Sequence, residues 1–199
     1  MSAILLVRLK ITDLSAWTAL ETGRRLLDPG YTLTRLVREQ LLLFEPEPEA
    51  RTGSFERVLG EAVRHSNFFV NPNKESFRFL TAAERGETWS PPEGAWGILT
   101  RPREDTRDER LRESLQREHP MPGLHAIRRA RVWWLWTRGP DGSPAIPYFS
   151  GVLGDLRDQR HGLLVNPHAE ASMILNGASP WSRVERFLTE PLPALRDAA

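Results

Sequence analysis

Apolar and polar residues alternate from the start of the chain. In ILLVRLKI, Leu5, Val7, Leu9 and Ile11 fall on one side and Arg8 and Lys10 on the other, a period of two that predicts a half-buried strand. The pattern then turns helical. Thr12-Asp13 is an N-cap signal for LSAWTALETGRRLL, whose Leu14, Trp17, Leu20 and Leu27 lie roughly along one helical face. Asp28-Pro29-Gly30 ends this helix, because proline cannot continue it and glycine accepts the turn conformation. YTLTRLVREQLLLFEPE follows as one long strand or two bent ones. A second helix begins near Ser54, with Phe55, Val58, Leu59, Ala62 and Val63 at strongly amphipathic spacing. It runs into FFVNPNKESFRFL, where Asn71, preceding Pro72, is pushed toward extended geometry. Asn71-Pro72 therefore marks a change from helix to strand.

The order then recurs. LLVNPHAEASMIL at 163–175 matches FFVNPNKESFRFL at 68–80 in its apolar pair, its Val-Asn-Pro and its glutamate, at an offset of 95. AWGIL answers AILLV and Asp105 answers Asp13, both at 92; Pro122-Gly123 answers Pro29-Gly30 at 93. IRRARVWWLW answers TRLVREQLLL, so Arg128 and Arg131 correspond to Arg35 and Arg38. RDERLRESLQRE and YFSGVLGDLRDQ fill the two helix positions. Landmarks recurring in one order at nearly constant offset predict an internal duplication. The expected organisation is a first unit at 1–80, a turn-rich linker at 81–94, a second unit at 95–176, and a C-terminal helix and tail at 177–199.

The predicted fold is α+β: two tandem units of strand, helix, long strand, helix and strand, with antiparallel sheets, helices on one face and an approximate twofold between the units. Such small units are marginal alone, so stacking them sheet-to-sheet or edge-to-edge adds buried area and covers strand edges. Trp133 and Trp134 must point to opposite faces of their strand, which suits burial at such a junction; stacking on a ligand is the alternative. Ser179-Pro180 starts the last helix, whose Trp181, Val184, Phe187 and Leu188 form an apolar face.

Composition narrows the function classes. The 27 cations, nearly all arginine, are balanced by 26 anions, so no broad footprint for nucleic acid or an anionic membrane exists. The absence of cysteine excludes disulfides, thiolate metal sites and cysteine nucleophiles. AILLV is too short for a signal or spanning segment, so a cytoplasmic protein is expected.

No nucleotide-binding glycine loop, zinc spacing or nucleophile elbow is present, and the five histidines are scattered. His65 and His161 fall near the ends of equivalent helices, where a positive charge is favoured. The candidate binding residues are Arg35, Arg38, Arg128 and Arg131, joined by Arg129: a paired basic strip for phosphate or carboxylate, or else a solvated strand face. Glu39 is a nearby acid with which Arg38 could simply pair. Asn71, Pro72 and Glu75, with Asn166, Pro167 and Glu170, form the repeated motif. Its glutamates are either turn-stabilising groups or paired acids, and acid–base work would require both in one pocket. No catalytic residue, metal ligand or cofactor is assigned.

The repeated unit resembles the PurS family, the small non-catalytic subunit of phosphoribosylformylglycinamidine synthase. Val37-Arg38 and Ala130-Arg131 occupy the positions of that family's central Val-Arg, and the two Asn-Pro stretches fit its helix-exit sequence. The resemblance spans 3–80 and 95–176. Its Gly-Lys after the Val-Arg is replaced by Gln40-Leu41 and Trp133-Trp134. The resemblance implies an accessory protein of purine biosynthesis that bridges glutaminase and synthetase subunits, either a monomer with pseudo-dimeric halves or a homodimer. The other reading is a diverged module binding a small anionic ligand or a protein partner outside purine synthesis.

Overall fold

The computed structural model describes residues 2–50, 52–65, 67–104, 106–119, 121, 123–154, 163–166 and 168–192. Asp105, Pro122, His161, Pro167 and the tail from 193 onward lie outside the described residues. The elements run β1 (Ala3–Leu9), α1 (Leu14–Leu26), β2 (Thr32–Pro46), α2 (Thr52–His65), β3 (Glu75–Leu80), β4 (Thr88–Trp89) and β5 (Trp96–Pro102). They continue with α3 (Thr106–Glu118), β6 (Leu124–Arg138), α4 (Ile146–Phe149), β7 (Glu170–Leu175), β8 (Ser179–Pro180) and α5 (Trp181–Thr189). The fold is mixed α+β and its paired strands are antiparallel.

In place of one main sheet per unit there is a single six-stranded sheet in the order β3-β1-β2-β6-β5-β7. The two fifteen-residue strands β2 and β6 pair along their length, from Thr32 opposite Arg138 to Pro46 opposite Leu124. Each would otherwise present a long unpaired edge, so joining them satisfies both sets of backbone groups at once.

Helices α1 to α4 lie on one face, in two clusters that each mix the halves. In one, Phe55, Leu59 and Val63 of α2 meet Leu115 of α3 over Leu5, Leu42, Phe44 and Ile127. In the other, Ala16 and Ala19 of α1 meet Phe149, Val152 and Leu153 over Leu33, Trp96, Ile98 and Leu135. The expected second helix of the second half is α4 followed by a π-helical turn, Ser150–Gly154; its remainder lies outside the described residues.

The opposite face is covered too. Trp181, Val184 and Leu188 of α5 pack with Trp89 on Ile4, Leu6, Leu41, Leu43, Leu99 and Trp134. Hence β1 is buried on both sides from Ala3 to Val7 rather than half-buried. The stretch 81–94 is more than a linker: β4 pairs with β8, and the Trp89 ring stacks on Trp181 at 5.0 Å. Trp133 and Trp134 are both buried, one in each layer.

Two further expectations change. Helix α1 buries Ala16, Ala19 and Gly23 fully and Leu20 partly, while the expected face residues Leu14 and Trp17 stay exposed. A Cβ on Gly23 would stand 3.1 Å from the Leu33 side chain, so the small-residue face lets α1 sit close to the sheet and leaves Leu14 and Trp17 outside. The match of AWGIL to AILLV also shifts by one. Leu5 pairs with Leu42 and Trp96 with Leu135, so Leu5 corresponds to Trp96. A one-residue slip inverts a strand's faces, and only this register puts equivalent side chains on the same side.

Candidate functional site: a central polar groove

On β2 the side chains facing the helices are Leu36, Arg38, Gln40, Leu42 and Phe44; on β6 they are Ile127, Arg129, Arg131, Trp133 and Leu135. The apolar ends of these rows seat the two helix clusters. The polar middle forms the floor of a groove of about 350 Å³. Arg38, Gln40 and Arg131 line it beside Thr100 of β5, with Asp13, Arg129, Glu75 and Glu170 around them.

Its charges are largely paired. Asp13 caps α1, accepting from the Ser15 and Ala16 N–H groups, and also receives a fork from Arg38: Nε to Oδ2 at 2.9 Å and Nη2 to Oδ1 at 3.0 Å. This bidentate geometry is the strong form of a charge-assisted contact. Arg129 donates Nε to the buried carboxylate of Asp108, which also accepts the Arg129 N–H at 2.8 Å. Arg131 is held more loosely: its Nη2 stands 3.7 Å from Glu170 Oε1 and its side chain is 42% exposed. Arg38 and Arg131 flank the buried Trp133, their guanidinium carbons 5.8 and 5.7 Å from its ring centroid.

Of the four arginines singled out in the sequence, the groove brings together Arg38 and Arg131. Arg35 and Arg128 alternate to the other side of the ladder. Arg35 lies 4.4 Å over Trp136, and Arg128 Nε donates to Glu45 Oε1 at 2.8 Å. Arg38 does not pair with Glu39, because neighbours in a strand face opposite ways; Glu39 instead accepts from the Trp134 indole N–H at 2.8 Å.

Asn71 and Asn166 open matching hydrogen-bonded turns. Glu75 Oε2 accepts from the Asn71 N–H at 2.7 Å, and Asn71 Oδ1 accepts from Asn73 N–H at 3.1 Å. Glu170 Oε2 accepts from the Asn166 N–H at 3.0 Å, and Asn166 Oδ1 accepts from His168 N–H at 3.2 Å. Pro72 shares the first turn, its carbonyl accepting from Lys10 Nζ at 2.7 Å. Both glutamates border the groove, yet they sit on the two edge strands, five strand steps or roughly 24 Å apart across the sheet. They stand at opposite ends and cannot share a proton.

The sequence reading missed Asp13 as a groove residue, taking it only for a cap, and missed Gln40, Thr100 and Asp108. A signal existed for Gln40: with Arg38 it forms the polar interruption between Leu36 and Leu42 on the alternation that faces the helices. Asp108 carried none, since a helix so rich in charge gives no sign of which acid turns inward. Among the described residues no group of three or more His, Asp or Glu is placed to hold a metal ion, and no helix is long and apolar enough to cross a membrane. Comparison of the chain with protein-family models, curated proteins and solved structures returns no match.

Proposed function

We propose that the chain is a PurS-like accessory module, two units fused in tandem about an approximate twofold axis, which binds enzyme subunits and performs no chemistry alone. The observation that carries this reading is the β2–β6 ladder. Glu39 pairs there with Val132, the residue 93 positions later, and 93 is also the offset that relates Arg38 to Arg131. A symmetric pairing of this kind is what two equivalent strands make across a dyad. The strand order read inward from either edge, third, first, second of each half, supports it as well.

The role implied by the family resemblance is to bridge the glutaminase and synthetase subunits of phosphoribosylformylglycinamidine synthase. One surface suits docking. Ile11, Leu14 and Trp17, at the start of α1, are 55%, 70% and 57% exposed. Their counterparts at the 92-residue offset that relates Asp13 to Asp105 are Arg103, Thr106 and Glu109, so the apolar patch belongs to one half only. A one-sided patch with an exposed tryptophan fits an anchor for a different protein better than self-association. Separation of the groove's two glutamates agrees with a non-catalytic role.

The test mixes the purified chain with the glutaminase and synthetase subunits of its own organism and follows the complex by sedimentation. A ternary complex that is weakened by Leu14→Asp with Trp17→Ser is expected. Sedimentation of the wild-type chain apart from both subunits would overturn the purine role.

A further inference from the structure

We infer that the groove, at the end formed by Arg131 and Glu170, is a binding site for a free α-amino acid, held by both of its charges. Arg131 is the least committed cation there: among the described residues its ion-pair contact is the 3.7 Å approach to Glu170, beyond hydrogen-bond reach, whereas Arg38 is forked onto Asp13 and Arg129 Nε is hydrogen-bonded to the buried Asp108. Glu170 is half committed, with Oε2 on the Asn166 N–H and Oε1 toward Arg131. The end therefore offers one guanidinium and one carboxylate oxygen side by side, the Arg131 side chain 42% exposed and that of Glu170 only 17%.

Charge balance selects the ligand. A simple anion taken by Arg131 strands the Glu170 carboxylate, and a simple cation taken by Glu170 strands the guanidinium; each loses what the other gains. An α-amino acid inserted into the loose pair leaves neither group unpaired. Its carboxylate takes the Arg131 fork and its ammonium takes Glu170 Oε1, so both contacts become charge-assisted hydrogen bonds. A dianionic phosphate is disfavoured, because Asp13, Asp108, Glu75 and Glu170 already answer the three groove arginines. Gln40, directly opposite Arg131, supplies a further amide for the carboxylate, and Pro102, opposite Glu170, an apolar wall for the amino acid's side chain. Gln40 comes from the first half and Arg131 and Glu170 from the second, so the site exists only where the halves join.

Binding here is independent of whether the chain docks on partner enzymes, and calorimetry of the full chain tests it alone. The standard α-amino acids are titrated one at a time, with the N-acetyl derivative and the amide of the best binder, and inorganic phosphate, as controls. Saturable binding of at least one amino acid is expected. It should weaken by about tenfold to a hundredfold on losing either charge, in the singly charged derivatives, in Arg131→Ala and in Glu170→Gln. Glu170→Gln retains an oxygen for the Asn166 N–H, so the turn is preserved, and the derivatives on wild-type protein need no variant to fold. No binding by any amino acid, equal binding of the singly charged derivatives, unchanged affinity in both variants, or tighter binding of phosphate would each overturn the inference.

Discussion

Replacing Trp89 tests whether the stretch 81–94 holds the molecule together. The Trp89 side chain is buried, stacked on Trp181 at 5.0 Å and 8°, and set edge-on to Trp134 at 5.3 Å. Truncating a buried tryptophan leaves a cavity and costs about 3–5 kcal/mol. For a chain of this length each kcal/mol moves the melting temperature by about 2–4 °C, so Trp89→Ala should melt roughly 6–20 °C below wild type. Trp89→Phe should behave differently. The buried Trp89 indole N–H meets no acceptor among the described residues, a state that costs about 1–3 kcal/mol. Phenylalanine removes that group along with part of the contact area, so its net cost should stay within about 2 kcal/mol. Differential scanning calorimetry and urea unfolding of the three proteins measure both effects. An alanine variant melting within about 2 °C of wild type would show that 81–94 is an ordinary connection. A phenylalanine variant as weak as alanine would show that the indole N–H contributes stability rather than costing it.

Asp13 serves as cap and as partner of Arg38, so Asp13→Ala should cost about 2 kcal/mol and Arg38→Ala less. A double-mutant cycle by urea unfolding should find a coupling of about 1 kcal/mol, and additive effects would refute the pairing. Tyr148 Oη accepts from the Asp28 N–H at 2.6 Å, and burial holds its pKa above the ordinary 10.0. The folded state thus keeps this proton to higher pH than the unfolded state does. The resulting stability is complete below pH 10 and is lost as pH rises through the folded value. Tyr148→Phe should flatten that decline in an unfolding series across alkaline pH; an unchanged slope would refute the assignment.

The sequence by itself determined the type and order of most main elements. Periods of two and of 3.6 placed β1, β2 and α2, the Asp13 cap placed α1, and the recurring Asn-Pro turns revealed the same order of elements twice. It also brought Arg38 and Arg131 forward as a pair, because they occupy matching places in two similarly spaced stretches. Only the tertiary structure decided which surfaces are covered. Leu14 and Trp17 have the hydrophobicity of a buried face, yet Ala16, Ala19 and Gly23 take that place, since close approach to the sheet favours small side chains. Trp89 lies in a stretch with no apolar period and is buried nonetheless, because β8 and α5, far along the chain, close over the back of the sheet. Likewise the groove, and Asp13 rather than Glu39 as the partner of Arg38, follow from β2 meeting β6 and from where α1 comes to rest. Periodicity is a local property, set by backbone geometry within a few residues. Burial and charge pairing depend on what arrives from elsewhere in the chain.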